Sequence, residues 1–166
     1  MESWSDPEAL QVWPAAGAKY VFTKYPASAG LVLEVNGTNG GTDIWQQAGS
    51  GSSTQANEVW TYEPQPSGYA WLVNDANGQC LEVNGTTGAV DTWPCVDGAP
   101  NELWAMTDNW PDPANGQNAA GIDLQVASSG ENLGTAATGQ SLSNGSALAM
   151  YSGSGDQVSW TATQVG

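Results

Sequence analysis

Basic residues are almost missing from this 166-residue sequence. It has no histidine and no arginine, and its two lysines, Lys19 and Lys24, stand against 17 acidic residues, so the formal net charge is −15. Nucleic acid is excluded as a partner, because phosphate contacts need lysine or arginine, and anionic membrane surfaces are disfavoured for the same reason. Without histidine the chain lacks the commonest general base and metal ligand. Catalytic triads, zinc sites and bound cofactors are therefore not expected.

Long apolar runs are also missing. No stretch approaches the ~20 apolar residues of a transmembrane helix, so membrane insertion is not expected. Residues 1–17 lack the basic start and apolar core of a secretory signal, and we interpret them as an N-terminal extension of a single domain spanning residues 18–166. A chain of this size buries roughly 70% of its unfolded surface in one core. The chain is either kept without a signal or is a domain of a longer secreted protein.

Cysteine is scarce, and its placement is informative. Cys80 and Cys95 are the two cysteines, and they bracket a predicted hairpin. A disulfide between them would close a loop of about 16 residues and stabilise the fold by on the order of 3 kcal/mol. This pairing favours an oxidising compartment and hence a secreted or extracellular location; the alternative is two unlinked buried thiols.

What the sequence does contain is a threefold internal repeat. Its clearest copy, residues 78–104, reads GQCLEVNGTTGAVDTWPCVDGAPNELW. An altered copy occupies residues 30–60 and a more degraded copy residues 130–160. In the first two copies Glu34 and Glu82 are 48 residues apart, and so are Trp45 and Trp93. Because both spacings are the same, insertions and deletions between the first two copies are expected in loops outside these positions.

Within each copy apolar residues alternate with polar ones, which is the period of half-buried strands. The Asn-Gly pairs at 36–37 and 84–85 predict tight hairpin turns with positive φ, although Asn36, Asn84 and Asn144 also begin N-glycosylation sequons. Residues 108–121 read as a linker, so the predicted units span about 18–66, 67–109 and 120–165. The twelve predicted strands are 20–25, 31–35, 42–46, 59–63, 71–74, 80–83, 89–93, 103–107, 122–126, 132–136, 148–151 and 159–163.

Twelve short strands in three similar units must share one core, and a closed barrel achieves this without free sheet edges. The runs CLEV, DTWPC and NELW, at 80–83, 91–95 and 101–104, resemble the ricin B-chain type of β-trefoil lectin and related modules of polysaccharide-degrading enzymes. The resemblance covers about residues 18–165 and implies an all-β β-trefoil. That family carries a Gln-x-Trp triplet in each unit; this chain has EVW, ELW and VSW, ending at Trp60, Trp104 and Trp160. It keeps the tryptophans and lacks the glutamines.

The resemblance also implies where sugar would bind. A pyranose presents hydroxyls and one apolar C–H face, which suit a carboxylate, an amide and an aromatic ring. The family's carboxylate, aromatic and amide positions carry Glu, Trp and Asn in the first two units, and the polar residue two before each Trp is Asp. In unit three the same positions carry Gly134, Tyr151 and Gln157, so that site is expected to be inactive or weak. The candidate carbohydrate-binding residues are Glu34, Asp43, Trp45, Asn57, Glu82, Asp91, Trp93 and Asn101.

Each of these assignments has a structural alternative. Instead of binding sugar, the glutamates could be solvated charges on a strand, and the asparagines could simply cap turns. The tryptophans that end the triplets are expected in the core. Trp45 and Trp93 differ, because the preceding residue of each, Ile44 or Thr92, would point inward and leave the indole exposed. The recurrence of the whole set in two copies favours the binding interpretation.

The sequence therefore predicts a non-enzymatic carbohydrate-binding domain, free-standing or part of a secreted glycoside hydrolase, whose partners are glycans of galactose type. A cytoplasmic lectin is the alternative to a secreted one, and no oligomeric state is indicated. A second class is a β-trefoil protease inhibitor or interaction protein acting through loops 48–56 and 137–146. A third, a glycosidase, needs two carboxyls roughly 5–10 Å apart, whereas Glu34 and Glu82 belong to different units.

Overall fold

The computed structural model describes residues 14–25, 31–36, 41–46, 55–107, 119–136, 145–153 and 155–165. These residues form twelve β-strands and three short 3₁₀ turns, with no α-helix among them. The strands are β1 Lys19–Lys24, β2 Leu31–Asn36, β3 Gly41–Gln46, β4 Trp60–Pro64, β5 Ala70–Asn74, β6 Cys80–Val83, β7 Val90–Trp93, β8 Trp104–Thr107, β9 Ala119–Val126, β10 Asn132–Thr135, β11 Leu148–Tyr151 and β12 Trp160–Val165.

Six of the strands close into a barrel. Antiparallel pairing runs from β1 to β4, β5, β8, β9 and β12 and returns to β1. The other six form the hairpins β2–β3, β6–β7 and β10–β11, and the first strand of each hairpin also pairs with a barrel strand. The hairpins meet one another, since β3 pairs with β7 and β11 contacts both. This is the closed barrel that the repeat predicts and the β-trefoil that the family resemblance implies.

Three tryptophans join the hairpins to the barrel. Trp60, Trp104 and Trp160 each begin a barrel strand directly after a 3₁₀ turn and are at most 1% exposed. Each indole Nε1 donates a hydrogen bond to the backbone carbonyl of a leucine in the hairpin of its own unit, at 3.2, 2.8 and 2.9 Å. Their predicted place in the core is confirmed, and the contact explains why this tryptophan recurs in all three copies. The leucines are Leu33, Leu81 and Leu133.

Two local predictions differ from the structure. The predicted linker 108–121 is wrong at its end, because β9 begins at Ala119; residues 108–118 lie outside the described part. In the β6–β7 connection the positive φ belongs to Gly88 rather than to Gly85. The Asn84 side chain accepts hydrogen bonds from the backbone N–H groups of Thr86 and Thr87, at 2.9 and 3.1 Å. The turn is thus longer than a two-residue hairpin and begins with an asparagine cap.

Some predictions fall outside the described residues. The turn at 37 and most of loops 48–56 and 137–146 belong to these parts of the chain. Within the described part, no helix is long and apolar enough to cross a membrane.

Candidate functional site

The candidate site of unit two lies on the β6–β7 hairpin. The strand register places Glu82 opposite Asp91 and Cys80 opposite Trp93. Because alternate residues of a strand share a face, these four side chains belong to one face of the hairpin. The predicted carboxylate, polar and aromatic positions are therefore brought together.

Trp93 is an unusually exposed indole. It is 57% exposed, whereas Thr92 before it is 3% exposed, so the predicted alternation is confirmed. The Thr92 hydroxyl donates to the Gln79 side chain at 3.0 Å and accepts from Asn77 at 3.1 Å, which anchors the inward face of the strand. The indole is left as an apolar surface facing solvent.

Glu82 is held in place by Asn101. Glu82 is 5% exposed as a residue, and the Asn101 amide nitrogen donates to its Oε1 at 3.0 Å and to the Val83 carbonyl at 3.0 Å. Both amide protons are thereby used. Asn101 thus does more than cap a turn, because it fixes the carboxylate against the end of β6 and keeps its own Oδ1 as an acceptor.

Asp91 completes a pair of acids. Its Oδ1 is buried and has no donor among the described residues while both acids are ionised, and its Oδ2 accepts from the Asn84 amide at 3.5 Å. A buried acceptor without a donor costs about 1–3 kcal/mol, so the pair is relieved either by a proton shared between Asp91 and Glu82 or by the hydroxyl of a ligand or water. Burial, then the hydrogen bond and charge of Asp91, then the charge of Glu102 raise the pKa of Glu82 to about 7, against the lowering contact of Asn101.

Glu102 is a residue whose structural role the sequence analysis missed. It is 1% exposed, and its Oε1 accepts a hydrogen bond from the Val96 backbone N–H at 2.7 Å. Burial raises the pKa of Glu102, and the Val96 contact opposes that rise. The contact folds the segment after Trp93 back toward the barrel. The available signal was the recurrence of an acid two residues before the core tryptophan, since Glu58 is also buried.

Unit one repeats the carboxylate–amide contact. The Asn57 amide donates to Glu34 Oε1 at 3.2 Å and to the Val35 carbonyl at 3.1 Å. The backbone register places Asp43 opposite Glu34 and Trp45 opposite Val32, as in unit two. The side chains of Asp43 and Trp45 lie outside the described residues.

Unit three is built differently at the same positions. A Cβ on Gly134 would lie 2.5 Å from the Gln157 carbonyl oxygen and 3.0 Å from Cδ2 of Tyr151. The Tyr151 hydroxyl donates to the Thr135 carbonyl at 3.0 Å, which is the carbonyl equivalent to that of Val83. The tyrosine therefore covers the place of the carboxylate and takes over the contact that Asn101 makes in unit two.

The predicted disulfide is present. Cys80 and Cys95 are bonded with their Cα atoms 5.1 Å apart. The bond ties β6 to the segment after Trp93. In the described residues no cluster of three or more histidine, cysteine, aspartate or glutamate side chains could hold a metal ion.

Comparison with known proteins agrees with this architecture. A sequence model described as "Ricin-type beta-trefoil lectin domain-like" matches residues 9–90 and 56–151, which together cover most of the chain. The chain belongs to the ricin-type β-trefoil lectin domain-like family. No curated protein sequence matches it.

Solved structures of this β-trefoil type superpose over nearly the whole chain. The Macrolepiota procera ricin B-like lectin in complex with lactose has a TM-score of 0.67 at 18% identity, covering 93% of this chain and 100% of that one. The designed threefold-symmetric protein ThreeFoil gives 0.64 at 23%, covering 89% and 99%. An exo-β-1,3-galactanase from Clostridium thermocellum gives 0.66 at 18%, covering 89% of this chain and 30% of that one. At these identities the likeness shows the fold.

Proposed function

We propose that this ricin-type β-trefoil is a non-catalytic carbohydrate-binding domain with functional sugar-binding sites in units one and two. The observation that carries the proposal is the face of the β6–β7 hairpin, where an indole that is 57% exposed shares a face with a buried, amide-held carboxylate and a second carboxylate, Asp91, whose buried Oδ1 has no donor when both acids are ionised. An aromatic plate beside fixed acceptors suits the C–H face and hydroxyls of a pyranose.

Each polar group has a role in this proposal. Glu82 and Asp91 accept hydrogen bonds from two sugar hydroxyls, and the Oδ1 of Asn101 accepts a third. Glu34 and Asn57 make the same contact in unit one, which supports an equivalent site completed by Asp43 and Trp45. Tyr151 covers the corresponding place in unit three, so that unit does not bind sugar.

The charge distribution favours neutral glycans. Lys24 is 2% exposed and donates to the carbonyls of Ser159 and Tyr25 at 3.0 and 3.1 Å, and Lys19 pairs with Asp75 at 2.8 Å. Lys24 is thus buried, and the part-exposed Lys19 is already paired, so the chain offers little positive charge to a sugar carboxylate or sulfate. The rest of the chain is strongly acidic. Nucleic acid and anionic membranes are disfavoured as partners for the same reason.

We propose galactose-type sugars as the ligand and a secreted setting for the domain, either free-standing or appended to a glycoside hydrolase. The similar lectin is complexed with lactose, and a similar domain is found within a galactanase. The disulfide is typical of an oxidising compartment.

A glycan array with the purified protein tests the proposal, with the Trp45→Ala/Trp93→Ala double variant as control. We expect binding to galactosides that the double variant loses. Equal array signals for the two proteins would contradict the site assignment. An array without any bound glycan, together with inhibition of a protease, would favour the inhibitor class instead.

A further inference from the structure

A second concave surface lies beyond the candidate sugar site of unit two. It is a groove of about 510 Å³ between the β4–β5 turn and the bend that follows the disulfide. This volume falls within the ~300–1,000 Å³ of ordinary ligand sites. Its lining is more apolar than polar and comprises Gln65, Pro66, Ser67, Asp97, Gly98 and Leu103.

The groove is continuous in the chain with the Trp93 face. Asp97 follows Trp93 by four residues, which span at most ~14 Å even when fully extended. The intervening segment is held at Cys95 by the disulfide and at Val96 by the 2.7 Å bond to Glu102. Pro94 and Val96 are exposed on this segment. The groove therefore begins within four residues of Trp93, along a segment that is held at two points.

The polar groups of the groove suit hydroxyls rather than charges. Gln65 uses one amide proton on the Glu63 carbonyl at 3.1 Å, which leaves a second amide proton and the amide oxygen for other partners. Asp97 and Gly98 lie in an exposed bend, and the Gly98 backbone has φ 75°. No basic side chain lines the groove, so its one carboxylate repels anionic ligands.

We infer that this groove is an extended subsite that takes further residues of a neutral oligosaccharide whose first ring stacks on Trp93. The inference rests on the proposed function. It assigns to unit two a preference for chains over single sugars, with Asp97 and Gln65 contacting hydroxyls and the exposed Pro66 supporting the C–H face of a second or third ring.

The test is titration calorimetry of the full chain carrying Trp45→Ala, which isolates unit two. The probes are galactose and β-linked galacto-oligosaccharides of two to four residues. We expect a monosaccharide Kd in the region of millimolar and a gain on the order of tenfold with chain length. Oligogalacturonides of the same lengths should bind more weakly, because Asp97 repels their carboxylates.

Ser67→Trp should fill the groove and remove the gain with length while leaving galactose affinity unchanged. The matched control is Ser129→Trp, since both serines are exposed and accept a hydrogen bond from the N–H two residues on, at 3.4 and 3.2 Å. Asp97→Ala, which leaves the turn intact, should reduce the gain in affinity with chain length several-fold.

The outcomes separate this inference from the proposed function. Galactose binding through Trp93 without any gain for longer chains would overturn the subsite alone. A gain that survives both Ser67→Trp and Asp97→Ala would do the same, because the extra contacts would then lie elsewhere. No binding of any member of the series would overturn the galactose-type proposal and the subsite with it.

Discussion

Units two and three share a hairpin geometry and differ in what occupies it. In unit two the face carries Glu82 held by Asn101 and an exposed Trp93, whereas in unit three Tyr151 packs over Gly134 and donates to Thr135. The same scaffold position thus holds either a solvent-facing aromatic beside an acid or an aromatic folded onto the hairpin. The comparison teaches that the aromatic position alone does not decide whether the ring faces solvent. The residue on the facing strand two positions beyond the one opposite the ring, Glu82 in unit two and Gly134 in unit three, decides whether the ring can fold onto the hairpin.

The largest expected effect comes from the two tryptophans. The Trp45→Ala/Trp93→Ala double variant should lose retention on a multivalent galactoside matrix, because both sites are needed for avidity. Each single variant should reduce the monosaccharide stoichiometry from near two to near one. Calorimetry and affinity chromatography measure these changes.

Tyr151→Ala is the matched control in unit three. It should lower the free energy of unfolding, because the ring packs on Gly134 and its hydroxyl is bonded, and leave sugar binding unchanged. Trp93→Ala should do the reverse, since the indole is largely exposed. Loss of binding in Tyr151→Ala with retention in Trp93→Ala would show that the active units are wrongly assigned.

The second effect concerns how each hairpin is tied to the segment after its aromatic residue. Unit two uses the Cys80–Cys95 disulfide, and in unit three the amide of Asn132, at the position of Cys80, donates to the carbonyl of Gly153 at 2.8 Å. Replacing both cysteines by serine should cost about 3 kcal/mol of unfolding free energy, and Asn132→Ala about 1 kcal/mol. Urea denaturation measures both.

An intact-mass measurement of the native protein provides the check on the bond itself. We expect a mass lower by two hydrogens than that of the reduced chain. A full count of free thiols in the native protein would contradict the disulfide, and equal costs for the two variants would contradict the expectation that the covalent tie is the stronger one.

A smaller effect is expected from adding a methyl group to unit three. Gly134→Ala would place Cβ 2.5 Å from the Gln157 carbonyl, and such overpacking costs about 1–3 kcal/mol. Gly85→Ala is the control, because nothing lies within 4 Å of its Cβ position and its φ is not positive. If Gly134→Ala is as stable as Gly85→Ala, Tyr151 does not close the unit-three site in the way described.

Most of the fold can be predicted from the internal repeat. Alternation of apolar residues and the 48-residue register predict the hairpins, since a strand side chain's face depends on local spacing. The recurring tryptophans predict the core because a large indole with one donor needs a buried place with one acceptor. The pair of cysteines predicts the disulfide, and all three expectations are confirmed.

The parts that escaped prediction depend on contacts between distant residues. Tyr151 looks like a weak aromatic site in the sequence, and only its packing on Gly134 shows that it covers the position. Glu102 reaches Val96 across a bend, which no periodicity records. The turn at Asn84 departs from the Asn-Gly expectation because the asparagine side chain caps two backbone donors, so Gly88 rather than Gly85 takes the positive φ.

The last expected effect is a pH dependence that arises at Glu82 in unit two. The pKa of Glu82 is raised from 4.5 to about 7, first by burial and then by Asp91 and Glu102. The folded protein therefore holds a proton between about pH 4.5 and 7 that the unfolded chain releases, so this group's contribution to stability falls as pH rises through that range. The difference in unfolding free energy between Glu82→Gln and the parent should grow in favour of the variant from pH 4.5 to pH 7.

Sugar affinity should depend on the same protonation of Glu82, but it should rise with pH where the contribution to stability falls. A hydroxyl that donates to ionised Glu82 competes with the proton, so galactose affinity in the Trp45→Ala background should be higher at pH 8 than at pH 5. Glu82→Gln, which cannot ionise, should bind more weakly at pH 8 and show no such rise. Calorimetric titration at both pH values measures this. A pH-dependent rise that persists in Glu82→Gln would contradict the assignment of the titration to Glu82.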